Sequence, residues 1–154
     1  MTFRLTARPD RVEWLDDGTL AIVDFKTGSP PSHADVLSGF SPQLTLEAAI
    51  LATGGMHGLP AGIISELCHV ALSGGHTPGR EQQVRLKDSP AASLGDLALA
   101  HLQGLRLVLD DYLNERRGFT SKPFPSRVPA FSDYDHLARF AEWSEEGAEE
   151  LEGE

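Results

Sequence analysis

The feature that most constrains the fold is an apolar run that ends in charged residues, "TLAIVDFK" at positions 19–26, preceded by the turn sequence Asp16-Asp17-Gly18. Aspartate and glycine tolerate the positive φ angles of a tight turn, so the run is predicted to form a β-hairpin with "RVEWL" at 11–15. The run is apolar on both faces until Asp24, which is typical of a central strand covered on both sides. The sequence therefore predicts a sheet built around residues 19–26.

Further strands are indicated on either side of this hairpin. The segment "FRLTAR" at 3–8 alternates apolar and polar residues with the period of a half-buried strand. Apolar runs bounded by glycine predict another pair of strands, at about 63–73 and 81–86, joined across the loop 74–79.

Helices are predicted between and after these strands. Apolar residues recur at helical spacing over 43–53 and over 93–117, and Ser93 is placed to cap the second of these helices. Shorter helices are predicted over 32–37 and 135–142. Because strands and helices alternate in groups along the chain, we expect an α/β fold in which helices flank a mixed β-sheet.

The acidic character of the chain is concentrated at its end. The 154 residues carry a net charge of −10, which would ordinarily argue against a nucleic-acid partner. Residues 142–154 hold seven acidic side chains and no basic one, so residues 1–141 hold a net charge of only −3. We expect a folded domain over 1–141 followed by a disordered acidic tail over 142–154, for which a decoy or partner-binding role is the alternative.

Cysteine content and hydropathy exclude several classes of protein. The single cysteine, Cys68, excludes an internal disulfide, a four-cysteine zinc site and a cysteine-ligated iron–sulfur cluster, and it is expected to be a small buried side chain. No apolar stretch is long enough to cross a membrane, and the N-terminus does not resemble a secretion signal. A cytoplasmic protein is therefore expected.

The residues that carry chemistry lie at the end of the central strand. Asp24 and Lys26 are two residues apart, so both side chains should point to one face while Phe25 points to the other. Asp10 and Asp24 are equally distant from Asp17 at the hairpin turn, so they should lie at similar heights in the sheet. Two carboxylates and a lysine would converge, a set that suits Mg²⁺, with the backbone carbonyl of Phe25 as a further ligand.

Each of these residues also has a structural interpretation. Asp24 and Lys26 could form an ion pair at the end of a strand. Asp10 could accept backbone hydrogen bonds in a turn after Pro9. Gln43 could cap the N-terminus of its helix. The histidines are expected to be structural at 69, 101 and 136 and to lie in loops at 57 and 76.

The run "DRVEWLDDGTLAIVDFKTG" at 10–28, followed by "PQLTLEAAIL" at 42–51, resembles the nuclease domain of the RecB-type branch of the PD-(D/E)xK superfamily. Within that branch, the segments "ARPDRVE" at 7–13 and "SDYDHLARFAEW" at 132–143 look most like the C-terminal end of the AddB family of helicase-nucleases. The resemblance implies a restriction-endonuclease-like core, a mixed β-sheet flanked by α-helices.

The resemblance also implies roles for individual residues. Asp10, Asp24 and the Phe25 carbonyl would hold Mg²⁺, or Mn²⁺ in its place. Lys26 would orient or activate the attacking water and stabilise the negative charge that develops on the phosphate. Gln43 would lie beside the site on its helix.

Three further residues are candidate DNA or structural contacts. Arg8 and Arg11 would contact the substrate backbone or remain solvated strand charges, and Arg11 could instead lie at the sheet edge. Glu47 occupies a position where many relatives carry tyrosine, so it is either an extra acidic ligand or a salt-bridge partner, for instance of Arg11.

We therefore expect a metal-dependent DNA nuclease domain of an AddB-like helicase-nuclease in double-strand break repair and recombination. The upstream helices of such domains are not expected in this chain, so hydrolase activity would depend on a site completed by a partner. Partners implied are DNA, in single-stranded form, and an AddA-like subunit or the N-terminal part of an AddB-like protein. The alternative is a catalytically silent fragment that acts as a DNA-binding or partner-docking module.

Overall fold

The computed structural model describes residues 3–74, 79–87, 89–119 and 124. The chain divides into two compact units, Met1–Asp110 and Asp111–Glu154. In the second unit, the rings of Tyr112 and Phe119 stack with centroids 4.5 Å apart. The elements in chain order are β1 Arg11–Trp14, β2 Leu20–Lys26, α1 His33–Leu37, α2 Gln43–Ala52, β3 Ile64–Ala71, β4 Arg80–Gln83 and α3 Leu94–Leu113.

The strands form one mixed sheet in the order β1-β2-β3-β4. β1 and β2 are antiparallel, β2 and β3 are parallel, and β3 and β4 are antiparallel. This arrangement confirms the predicted α/β fold with a mixed sheet. The parallel pair is joined by α1 and α2, as a parallel connection requires a crossover.

The hairpin between β1 and β2 has the predicted register. Trp14 pairs with Leu20 and Arg11 pairs with Val23, and Gly18 adopts the positive φ of 79° that its turn requires. Continued by one residue, this register places Asp10 opposite Asp24, as their equal distance from the turn predicted.

The core lies between the sheet and α2, with α3 contributing its first turns. Along β2, successive side chains point alternately towards α2 and towards the opposite face of the sheet, as strand geometry requires. The largest buried apolar residues are Leu20, Ile22, Val36, Leu44, Leu51, Ile64, Leu67, Val84, Leu94 and Leu97.

Both predicted serine caps are present. The Ser32 Oγ accepts a hydrogen bond from the Asp35 N–H at 3.1 Å, and the Ser93 Oγ accepts one from the Asp96 N–H at 3.0 Å. Helix α3 ends at Leu113, earlier than the predicted residue 117, and Glu115 just beyond it has a φ of 56° that a helix does not accommodate.

His101 has the structural role that the sequence predicted. Its Nδ1 is 2.7 Å from the Thr45 Oγ1 and its Nε2 is 3.2 Å from the Leu37 carbonyl oxygen. These bonds tie α3 to α1 and α2, and they help to fix the position of α2 over the sheet.

The predicted strand over 3–8 is wrong. Residues 3–9 form no strand, and Phe3 is 58% exposed. The hairpin register would place Ala7 opposite Thr27, where β2 has already ended, so the segment has no partner beyond that point. Alternation makes a segment amphipathic, but a strand also needs a neighbour for its backbone hydrogen bonds.

Within the described residues, no helix is both long enough and apolar enough to cross a membrane. Several predictions lie outside those residues. They are the helix over 135–142, the acidic tail over 142–154, and the assignments of His76 and His136.

Candidate active site

The polar end of β2 meets the first turn of α2 in a closed hydrogen-bond network. The Asp24 Oδ1 accepts hydrogen bonds from the Gln43 Nε2 at 2.7 Å and from the Lys26 Nζ at 3.1 Å. The Lys26 Nζ also donates to the Gln43 Oε1 at 2.8 Å and lies 2.8 Å from the Asp24 Oδ2. Asp24 is only 2% exposed, so this pairing compensates a carboxylate that has lost most of its water.

Local geometry explains why these three residues meet. Asp24 and Lys26 are two apart on β2 and therefore share the face that α2 covers, while Phe25 on the other face is 39% exposed. Gln43 is the first residue of α2, and helical side chains lean towards the N-terminus, which directs its amide to the end of the strand. The capping interpretation of Gln43 is wrong, because the N-cap residue is Pro42 and no side chain caps this helix.

Asp10 lies beside this network, immediately before β1. Its Oδ2 accepts a hydrogen bond from the Phe25 N–H at 2.9 Å, across the hairpin. Asp10 therefore accepts a backbone hydrogen bond, but from β2 rather than from a turn after Pro9. This bond holds the exposed Asp10 carboxylate next to the buried Asp24.

Glu47 is a third carboxylate at the site, one helical turn after Gln43. It is 4% exposed, and its Oε1 accepts a 3.4 Å hydrogen bond from the Gln43 Nε2. Burial raises the pKa of Glu47, the Gln43 hydrogen bond lowers it, and the nearby charges of Asp24 and Asp10 raise it further. A salt bridge to Arg11 is not formed, because Arg11 pairs with Glu13 on its own strand.

His69 is the residue of this site that the sequence analysis missed. It pairs with Asp24 in the parallel register of β2 and β3, is 1% exposed, and places its Nε2 4.0 Å from the Asp24 Oδ2. Burial lowers the pKa of His69, which favours its neutral form. The only signal in the sequence was a histidine inside a buried strand, which does not reveal the neighbour.

The two arginines are placed apart from this network. Arg8 is exposed in the irregular segment before β1, and Arg11 lies on β1 at the edge of the sheet. Cys68, next to His69, is buried as expected, and burial raises the pKa of its thiol.

The donor set fits a divalent cation in one specific respect. Within the described residues, the Glu47 Oε2 is a buried carboxylate oxygen without a hydrogen-bond partner, and the buried Asp24 Oδ2 has the ion pair with Lys26 but no hydrogen bond. Such oxygens are the ligands that Mg²⁺ prefers, and it takes only one or two carboxylates together with water and phosphate oxygens. The same part of the chain has no group of three or more His, Cys, Asp or Glu side chains gathered as a complete metal centre.

Comparison with known proteins agrees with this geometry. The model of the PD-(D/E)XK nuclease superfamily matches residues 1–153. An uncharacterized protein of Rickettsia bellii is 26% identical over 136 residues, which are 83% of this chain and 16% of that protein. An uncharacterized protein of Rickettsia conorii is 35% identical over 60 residues, 39% of this chain and 7% of that protein.

The chain thus spans less than a fifth of the length of these relatives. No solved structure gives a significant match. The family match covers nearly every residue, including the hairpin, the Asp24-Phe25-Lys26 sequence and the helix that begins at Gln43. The chain belongs to the PD-(D/E)XK nuclease superfamily.

Proposed function

We propose that this chain is a nuclease domain that hydrolyses DNA phosphodiesters with the help of a divalent metal ion, Mg²⁺ or Mn²⁺. The observation that carries the proposal is the buried Asp24, held by Lys26 and Gln43 beside the Asp10 carboxylate. A purely structural ion pair at a strand end would need neither the amide of Gln43 nor a second carboxylate.

Each residue has a separate task in this proposal. Asp10 and Asp24 would hold the cation, with Glu47 or the Phe25 carbonyl completing the protein ligands. When bound, the cation would polarise the scissile phosphate and lower the pKa of a water molecule. Lys26 would orient the attacking water and stabilise the negative charge on the phosphate oxygens in the transition state.

Gln43 and His69 would position Asp24. The Gln43 amide bonds both Asp24 and Lys26, so it fixes the carboxylate and the ammonium relative to one another. His69 lies behind the carboxylate in the sheet, where its buried neutral ring limits water access to the Oδ2. Groups in such supporting positions commonly affect metal affinity by about 10- to 100-fold.

We further propose that the domain acts in double-strand break repair as the nuclease part of an AddB-like helicase-nuclease. The segments at 7–13 and 132–143, which resemble the C-terminal end of the AddB family, support this assignment, and the greater length of the relatives is consistent with a larger protein. An AddA-like subunit, or the helicase part of the AddB-like protein, would then be the partner that delivers single-stranded DNA.

A catalytically silent module is the second candidate. It is favoured by the absence of a complete three-group metal centre among the described residues. In that case the fold would bind DNA or dock a partner, and the polar network would serve only stability.

Metal-binding calorimetry, with digestion of single-stranded DNA in parallel, separates these candidates. We expect saturable Mn²⁺ binding and cleavage by the wild type, and loss of both in Asp24→Asn. The control is Glu66→Gln, which alters an exposed carboxylate on β3 and should behave as the wild type. Metal binding without cleavage would point to a site that a partner completes. No metal binding with no cleavage would overturn the nuclease proposal and leave the second candidate.

A further inference from the structure

A groove with basic side chains lies along the segment that precedes Asp10. It has a volume of about 390 Å³ and runs between the irregular segment 4–9 and the C-terminal end of α2 with the turn that follows it. Pro9 lies in its wall and is the chain neighbour of Asp10, so the segment that lines the groove continues into the candidate active site.

The charge of this groove is opposite to that of the chain. Its wall contains Arg4, Arg8 and His57 and no acidic residue, although the chain as a whole has a net charge of −10. Arg4, Arg8 and His57 are all exposed. Among the described residues, no ion pair is recorded for either arginine, and both side chains are open to solvent.

Two arginines in one groove wall offer a positive charge to more than one phosphate of a strand. The Cα atoms of Arg4 and Arg8, four residues apart, are separated by at most about 14 Å, the length of a fully extended backbone. Guanidinium groups bind phosphate oxygens through two parallel hydrogen bonds. Apolar side chains, among them Leu5 and Met56, line the groove between the charged residues and offer a surface for bases.

We propose that this groove binds the sugar-phosphate backbone of single-stranded DNA and guides the strand to Asp10 and Asp24. The inference rests on the proposed nuclease function and adds the path of its substrate. In this proposal, Arg4 and Arg8 contact phosphates of the strand outside the active site. His57 contributes a ring surface on which a base can stack.

The test is fluorescence anisotropy of a labelled oligothymidylate at several salt concentrations, without divalent cations. Each phosphate contact on a single strand contributes about 0.7 to the slope of log K against log salt. The double variant Arg4→Ala/Arg8→Ala should therefore bind more weakly and lose about 1.4 from that slope. The conservative double variant Arg4→Lys/Arg8→Lys should keep the wild-type slope, because lysine retains the charge.

Two controls connect this test to the nuclease proposal. Arg106→Ala removes an exposed arginine of α3 outside the groove and should leave the slope unchanged. Asp24→Asn should still bind the oligonucleotide even where cleavage is lost.

The outcomes are distinguishable. Suppose that the wild type cleaves DNA and the Arg4→Ala/Arg8→Ala variant keeps the full salt slope. This result would overturn the groove proposal and leave the nuclease proposal intact. A slope that falls in this variant, in a protein that does not cleave, would support the groove and count against catalysis. A wild type that does not bind the oligonucleotide overturns the groove proposal.

Discussion

The Asp24 site and the basic groove differ in the sign of their charges and in their exposure to water. Asp24 and Glu47 are 2% and 4% exposed, whereas Arg4 and Arg8 are in contact with water. A charge in the low-dielectric interior interacts strongly with its neighbours and must be paired, while an exposed charge is screened by salt. Substitutions at the buried site should therefore change metal binding and the rate of chemistry, whereas substitutions in the groove should change DNA affinity and its salt dependence.

Replacement of Lys26 by methionine is expected to have the largest effect on chemistry. Lys26→Met removes the charge that is proposed to stabilise the phosphate, so the cleavage rate should fall by about 10²- to 10³-fold. Stability should also fall, because the buried Asp24 carboxylate loses its ion pair, although the partial exposure of Lys26 moderates this loss.

The measurement is single-turnover cleavage at saturating DNA, with Lys87→Met as an exposed-lysine control. Metal binding should persist in Lys26→Met. A variant that cleaves at the wild-type rate would show that the buried network is structural. The expected difference between the buried site and the groove would then not hold.

Substitutions of Asp10 separate its charge from its hydrogen bond. Asp10→Asn keeps an oxygen that can accept from the Phe25 N–H, while Asp10→Ala does not. Both should weaken metal binding and cleavage by about 10- to 100-fold. Only the alanine variant should also lose about 1 kcal/mol of stability. Denaturant unfolding and calorimetry check this, and equal activity of Asp10→Asn and wild type would exclude Asp10 as a metal ligand.

Gln43→Leu is expected to have a smaller effect than Lys26→Met, because Gln43 touches the reacting groups only through Asp24 and Lys26. Loss of its two strongest hydrogen bonds should reduce the metal affinity by about tenfold, with binding of the oligonucleotide unchanged. The exposed Gln83→Leu on β4 is the matched control. If Gln43→Leu changed DNA affinity and not metal affinity, the glutamine would belong with the groove.

Glu47→Gln should change the pH dependence of stability, which is the smallest of these effects. The raised pKa of Glu47 means that the folded protein holds a proton more tightly than the unfolded chain. Its contribution to stability is therefore present at low pH and is lost as the pH rises from about 4.5 through the raised pKa of the folded state.

Thermal unfolding without divalent cations, followed over this pH range, measures the effect. In Glu47→Gln, the stability should not show the part of its fall with rising pH that is due to Glu47. The exposed Glu66→Gln should retain that part. Identical pH profiles for wild type and Glu47→Gln would mean that Glu47 is paired or hydrated in solution, which would weaken the contrast between the two regions.

The parts of the fold that depend on local patterns were predictable from the sequence. The hairpin register follows from the Asp16-Asp17-Gly18 turn, and the shared face of Asp24 and Lys26 follows from the period of a strand. The segment 3–8 shows the limit of this reasoning, because its alternation is that of a strand but β2 ends before it could pair.

The site was predictable only where its members are close in sequence or carried by a family motif. The structure brings together Asp10, Asp24, Lys26 and Gln43, as expected. Their catalytic and metal-binding roles stay predictions. His69 could not be assigned to the site, because its place beside Asp24 depends on a parallel pairing with a distant strand. The direction of the Gln43 amide likewise depended on where α2 packs.

The sequence by itself determined the central strand, its turn and the convergence of Asp10, Asp24 and Lys26, since backbone geometry over a few residues dictates these relations. Only the packing of distant segments buries Glu47 and His69 near Asp24 and brings the segment with Arg4 and Arg8 against the C-terminal end of α2. These arrangements depend on how α2 and β3 pack on β2, and packing between distant segments sets the burial, and with it the strength, of every charge in the site.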